Sequence, residues 1–321
     1  MNARRPAAAL AATLAMLAAS RAQPPAASGT PPDPDLPSIV VEAPEPKYVV
    51  PTRPDRIGRI WAPVRINDQG PFRLVLDTGA TGSAINAAAL ATLGIAAPAA
   101  AGVTLHGATG ALDVAAVQVD SFAVGELPLR HAGLAVIEDA FGGADGVLGM
   151  DDLLDKRVFI DFRNDTITVS RSHGQPAPSG FVSIPVILDH GLLVVPDARF
   201  GSLRVRAIID TGSQGSIANV AAGDALRRHG RPEGAGGLQI VGVTMDVERG
   251  DVVATPALHL GALRVGTTQI AVADTYFFRH FGLTARPAVV VGMDVLGLLD
   301  ALIIDYPARE IQVKVDATDR R

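Results

Sequence analysis

Phe72-Arg73-Leu74-Val75-Leu76-Asp77-Thr78-Gly79-Ala80 returns further along the chain as Val205-Arg206-Ala207-Ile208-Ile209-Asp210-Thr211-Gly212-Ser213. In both copies an apolar run leads straight into Asp-Thr-Gly. Runs such as Leu74-Val75-Leu76 and Ala207-Ile208-Ile209 commit a strand to a core, so the Asp that follows emerges at a strand end rather than on a solvated loop. Gly79 and Gly212 then permit a tight turn and close backbone approach. A single Asp-Thr-Gly would be an ordinary turn, because all three residue types are turn formers. Its surroundings argue otherwise. Gly146-Val147-Leu148-Gly149-Met150-Asp151 and Val158-Phe159-Ile160-Asp161-Phe162 follow the first copy, and Val289-Val290-Val291-Gly292-Met293-Asp294 and Leu302-Ile303-Ile304-Asp305-Tyr306 follow the second. Matched blocks in one order mark a duplicated unit.

Two carboxylates brought together across an approximate two-fold axis can share one proton, since like charges a few ångströms apart cannot both ionise cheaply. One then serves as base on a water and the other as acid towards a carbonyl oxygen. Thr78 and Thr211 each offer a hydroxyl able to bond backbone across the symmetric junction. The motifs differ in one place, Ala80 against Ser213. A Ser213 hydroxyl donated to Asp210 would favour the ionised carboxylate there and leave the shared proton on Asp77. On that expectation, Ala80→Ser moves the basic limb of the pH profile downwards.

The rest of the chain narrows the alternatives. Of 321 residues, 48% are hydrophobic and only 4% aromatic, so a sizeable core is built from Val, Leu, Ile and Ala. A net charge of -5 with interspersed signs provides no basic stripe, and scarce aromatics provide no stacking platform, which argues against a nucleic-acid partner. The absence of Cys excludes thiol nucleophiles, disulfides, iron–sulfur clusters, cysteine-based zinc sites and a lipoprotein anchor. His106, His131, His173, His190, His229, His259 and His280 show no paired ligand spacing, so neither a metal nor another cofactor is expected. No Gly-x-Ser-x-Gly elbow and no Gly-x-x-x-x-Gly-Lys loop occurs.

At the N-terminus, Arg4 and Arg5 precede the uncharged run Ala7 to Ala19 and then Ser20-Arg21-Ala22. This pattern reads as a signal peptide over 1–22, cleaved after Ala22, and places the mature protein in the periplasm or outside the cell. The apolar run falls short of the roughly 20 residues a spanning helix needs, so stable membrane insertion is not expected. Residues 23–56 are Pro-rich and read as a disordered arm. A first lobe is assigned to 57–172 and a second to 180–316, joined across Arg171 to Gly180.

The secondary structure reads as all-β with few short helices. Strands are expected at Val114 to Val119, Arg157 to Asp161, Thr166 to Val169, Val252 to Ala254 and Ile303 to Asp305. Helices are expected at Ala87 to Leu93, at Val220 to His229, and for a turn or two after Asp151 and Asp294, with those two acids as N-caps. Asp161 and Asp305 read as hairpin residues. Tyr276-Phe277-Phe278 with Phe281 reads as core packing.

These features resemble the retropepsin-like aspartic peptidases of bacteria, with two such units fused into a chain similar to a compact pepsin-type bilobal enzyme. The resemblance runs from about Ile57 to Val315 and is most specific in the Asp-Thr-Gly-Ala/Ser motifs and the later apolar-Gly blocks. It implies a bilobal acid-protease fold of two β-barrel lobes, with Val147-Leu148-Gly149 and Val290-Val291-Gly292 packed behind the loops. It further implies a catalytic pair Asp77 and Asp210, cross-lobe supports Thr78 and Thr211, and turn residues Gly79 and Gly212. Flap hairpins correspond best to Thr104 to Leu112, with Gly107 and Gly110, and Ile240 to Asp246, with Gly242. Neither carries the Tyr of pepsin-type flaps. Met150 and Met293 stand where retropepsins often carry Arg. The implied function is an aspartic endopeptidase that takes an extended peptide or protein substrate. Two other readings stay open: a non-catalytic peptide-binding scaffold on the same fold, and lobes that pair with a second chain. Fusion raises the effective concentration of the neighbouring lobe, which favours internal pairing and a monomer.

Overall fold

Each apolar lead into Asp-Thr-Gly forms the inner strand of a hairpin: Trp61–Ile66 pairs with Gln69–Leu76, and Leu192–Phe200 with Leu203–Ile209. This is seen in a computed structural model that describes residues 39–42, 60–99, 102–124, 127–129, 133–138, 143–228 and 233–315. The expected signal peptide lies outside the described residues. Asn67 and Asp68, both with positive φ, close the first hairpin, as a two-residue turn matched to strand twist requires.

The later apolar-Gly blocks explain themselves by where they lie. Gly146–Leu148 runs parallel beside Leu74–Leu76, and Ala288–Val291 runs parallel beside Arg206–Ile209. Covered on both faces, such strands favour unbroken apolar runs rather than alternation. On their other edge stand the short strands that leave the Asp loops, Ala84–Asn86 and Ile217–Ala218. Each loop is therefore gripped by strands before and after it. An eight-stranded sheet carries the first motif and a ten-stranded sheet the second. Leu74, Val75, Ile208 and Ile209 are wholly buried.

The two halves also share a six-stranded sheet. Lys156–Asp161 and Thr166–Arg171 come from the first half, Ala301–Asp305 and Glu310–Lys314 from the second, and the halves meet where Arg157 pairs with Asp305. That register is reinforced by a buried network, in which Arg157 donates to Asp305 and Gln312 at 2.7 Å each and Ser172 donates to Asp305 at 2.7 Å. Asp161 and Asp305 both accept backbone N–H groups in their hairpin turns, from Arg163 and from Ala308. The ion pair to Arg157 adds a cross-half role that hairpin reading alone did not supply.

Several expectations need correction. Within the arm expected to be disordered, Ile39–Glu42 forms an edge strand on Thr166–Arg171 of the shared sheet; the β-branched run Ile39-Val40-Val41 suits a pleated edge although prolines surround it. The rest of the arm lies outside the described residues. The strand expected over Val114 to Val119 is broken at Ala115 into Ala111–Val114 and Ala116–Val117, which join different partners. The helices Ala87–Thr92 and Val220–Arg228 lie where expected, but Tyr276–His280, read only as an aromatic cluster, is also helical. Asp151 and Asp294 are not N-caps. Gly149 and Gly292 hold those positions, and the acids sit inside the first turn.

Candidate active site

Asp77 and Asp210 are each the first residue past an inner strand, and the backbone turns immediately, so each carboxyl folds back on its own loop. Gly79 and Ala80 donate their N–H groups to Asp77 Oδ1 at 2.8 and 3.1 Å. Gly212 and Ser213 do the same for Asp210 Oδ1 at 2.9 and 3.0 Å. The loops face each other so closely that a Cβ at Gly79 would stand 2.5 Å from Asp210 Oδ2, and one at Gly212 would fall within the Asp77 carboxyl group. Only Gly fits at either place. Each Asp carboxyl thus faces the Gly of the other half's loop within one chain.

The threonines tie the halves together reciprocally. Thr78 Oγ1 donates to Ile209 O at 2.7 Å and accepts from Thr211 N at 3.0 Å. Thr211 Oγ1 donates to Leu76 O at 2.7 Å and accepts from Thr78 N at 3.1 Å. Both threonines are fully buried, so all four bonds are shielded from water.

Burial of its carboxyl, then the Asp77 charge, hold Asp210 well above the ordinary carboxylate range. The N–H groups of Ser213 and Gly212 and the hydrogen bond to Asp77 act as smaller influences, the first two downwards. The Ser213 hydroxyl takes no part: it donates to Gly215 O at 2.8 Å, across its own turn. The expectation that it would hold Asp210 ionised and leave the proton on Asp77 is therefore corrected. Backbone N–H donors serve the two carboxyls alike, so the Ala80/Ser213 difference supplies no asymmetry to the pair. With only backbone donors on either side, Ala80→Ser should leave the basic limb of the kcat/KM profile in place; a downward move would mean that the new hydroxyl reaches the dyad.

Other residues build the site without having stood out in the sequence. Ser83 donates to buried Asp152 and accepts from Gly149 N at 3.0 Å; Ser216 donates to Asp294 at 2.7 Å and accepts from Gly292 N at 3.1 Å. Each serine pins an Asp loop to the apolar-Gly block behind it. The two serines occupy matching places in the repeat, which was a readable signal. Their acids do not match: Asp151 aligns with Asp294, yet Ser83 bonds Asp152 while Asp151 is exposed. Met150 and Met293 are buried in the core, so no ion pair is made at those positions. Tyr306, directly after Asp305, is fully buried, and burial followed by the Asp77 charge raises its phenol above the ordinary tyrosine range.

The segments expected as flaps are hairpins whose tips meet and which pack beside the first Asp loop. The first is Val103–His106 with Ala111–Val114, carrying Gly107 and Gly110 at its tip; the second is Glu233–Val241 with Val247–Thr255, with Gly242 at its tip. Gly242 N donates to Thr109 Oγ1 at 3.1 Å, and the Thr109 and Thr244 hydroxyls lie 3.4 Å apart. Leu105 and Val243, one from each hairpin, pack with Ala80, Ile137 and Val147. Among the described residues no group of His, Asp or Glu could hold a metal ion, and no helix is long and apolar enough to cross a membrane.

Residues 62–151 match a family model described as aspartyl protease. No curated protein sequence matches the chain. Among solved structures, the chain is similar to the aspartic proteinase from Irpex lacteus, with 12% identity, a TM-score of 0.51, and coverage of 88% of this chain and 98% of that one. At that identity the likeness is one of fold, and the fold is the bilobal, all-β acid-protease fold.

Proposed function

We propose that the protein is an exported aspartic endopeptidase that works as a monomer without a cofactor. The observation that carries this reading is the mutual approach of the two Asp loops within one chain, each carboxyl facing the other loop's Gly and the loops locked together by the reciprocal Thr78 and Thr211 bonds. In the proposed reaction, the ionised carboxylate takes a proton from a water lying between the two groups. The water oxygen attacks the peptide carbonyl carbon, and the protonated carboxyl gives its proton to the carbonyl oxygen. The resulting diol collapses as the C–N bond breaks: the carboxyl that took the water's proton gives it to the leaving nitrogen, and the other carboxylate recovers a proton from a diol hydroxyl. No covalent enzyme intermediate forms. Burial of the Asp210 carboxyl keeps the required single proton in the pair at weakly acidic pH.

An extended chain would lie beneath the hairpins and use strand-like hydrogen bonds. Partly buried apolar side chains near the Asp loops, Ala80, Leu105 and Val243 in one cluster and Ile217 in another, would meet its side chains. Apolar side chains next to the scissile bond suit these contacts.

The test is digestion of an unfolded protein at weakly acidic pH, together with binding of a peptide mimic that has a secondary hydroxyl in place of the scissile carbonyl. Cleavage, and tight binding of the mimic because it imitates the tetrahedral state, are expected. Neither cleavage nor binding would favour the scaffold reading. For export, the expected finding is a mature N-terminus at Gln23 in the periplasmic or extracellular fraction; an intact N-terminus in the membrane fraction would overturn it.

A further inference from the structure

The first flap is anchored to the far lobe by rings. His106, the last residue of its leading strand, lies against two residues of the Tyr276–His280 helix. Its ring stacks on His280 with centroids 4.1 Å apart and planes 19° apart, and is parallel to Tyr276 within 3° at 5.9 Å. His106 Nδ1 is 2.8 Å from Tyr276 Oη. Two residues on, Ala108 O accepts the Phe277 N–H at 3.0 Å. Tyr276 and His280 stand four apart and so share one helix face.

The two partners differ in how firmly they are held. Phe277 and Phe278 bury the helix in a core with Leu192, Ile208 and Leu283. The first flap forms a two-stranded sheet of its own, with no strand fully buried apart from its tip residue Thr109. A segment with so little buried surface lies at the low-stability end of a fold, so the flap is the partner that moves.

We propose that the His106–His280 stack is an acid-released latch, closing the first flap over the Asp77–Asp210 cleft near neutral pH and freeing it on acidification. This regulation rests on the endopeptidase reading, because it matters only if the cleft admits a substrate. Two imidazolium rings at this separation repel each other, and each carboxylate of the surrounding elements is engaged elsewhere through at least one oxygen, while Glu248 Oε2 and His106 Nε2 are buried without a partner. Glu248 accepts from Tyr276 N and from Arg279, Asp274 pairs with Arg279, and Asp189 is shared by Arg206 and His190. On the first flap, Asp113 accepts the Thr104 hydroxyl, and Asp246, in the turn of the second flap, lies against Gly110.

His280 is held below the ordinary imidazole range by burial first, then by His106 and by His190. A group whose pKa is depressed in the closed arrangement favours the open one once protonated, so falling pH releases the latch. The His106–Tyr276 bond does not set this direction, since a charged Nδ1 could still donate to the phenol oxygen. The tip bonds among Thr109, Gly242 and Thr244 contain no titratable group and do not vary with pH.

The chain has no Cys, so two spin labels can be placed without background by Leu112→Cys on the flap and Val220→Cys on the second lobe, both exposed positions. Their separation is measured by pulsed electron resonance between about pH 8 and about pH 5, the interval in which imidazoles titrate. The expected result is a short, narrow distribution at the upper end that becomes longer and broader at the lower end. With His106→Phe and His280→Phe, which keep rings but lose charge, the short distribution should persist throughout. The single variant His280→Gln, at an exposed position, should also weaken the pH response if the double variant fails to fold. An unchanged distribution in the parent chain, or an equal response in these variants, would overturn the latch. Repeating the measurement on Asp77→Asn separates the two readings. A flap that responds in the variant and in a parent chain that itself never cleaves peptides counts against the peptidase alone, whereas a parent chain that cleaves peptides with an unresponsive flap counts against the latch alone.

Discussion

Asp77→Asn and Asp210→Asn should each lower peptide cleavage by roughly ten-thousand-fold or more, because either change removes the shared proton system on which both acid and base steps depend. The losses should not add in the double variant, since the pair acts as one unit. Asp210→Asn carries a second expected result. The Asp210 carboxyl is raised well above its ordinary range by burial and by the Asp77 charge. A raised folded-state value means that its contribution to stability is complete below the unfolded value of about 4 and is lost as pH rises through the folded one. The parent chain should therefore lose stability from acidic towards neutral pH, and Asp210→Asn should melt higher than the parent at neutral pH with little difference at acidic pH. Thermal melts across pH beside kcat/KM measurements check both parts. Substantial residual cleavage in either single variant would sink the mechanism, and parallel stability curves would sink the account of the Asp210 carboxyl.

The second large effect concerns the junction between the halves. Thr211→Val preserves shape but leaves Leu76 O without its 2.7 Å donor and Thr78 N without its 3.1 Å acceptor, both in a buried place. At about 1–3 kcal/mol for each of the two unsatisfied groups, the cost is about 2–6 kcal/mol, or a melting temperature lower by about 4–24 °C at about 2–4 °C per kcal/mol. Thr78→Val should behave alike by the symmetry of the four bonds. Thr211→Ser keeps the hydroxyl and should recover most of the loss. Activity should fall with Val as well, since the bonds hold the two Asp loops in register. Unchanged melting in Thr211→Val would mean that the sheets alone align the halves.

The duplicated Asp-Thr-Gly, its apolar leads and the apolar-Gly blocks were all legible because they obey local rules: a buried strand demands apolar residues, and a tight turn favours Gly. Helices Ala87–Thr92 and Val220–Arg228 were legible for the same reason. The helix Tyr276–His280 was not, because five residues with aromatic and β-favouring side chains have no helical pattern of their own and are held by packing against Leu192, Ile208 and Leu283. Ser83 with Asp152 was half-legible: the serine repeats in Ser216, but its acid is shifted by one residue within a short helical turn, which alignment alone misassigns.

By itself, then, the sequence determined that two equivalent loops would each present an Asp at the end of a buried strand, since strand patterning and turn chemistry act over a few neighbouring residues. Which way each side chain points beyond that was decided only in three dimensions. The Ser213 hydroxyl turns to Gly215 O because that acceptor lies across its own turn, while backbone N–H groups already occupy Asp210 Oδ1. His106 and His280, far apart in the chain, meet because the first flap reaches across to the second lobe. Contacts of this kind depend on the relative placement of whole elements, and no local periodicity records them.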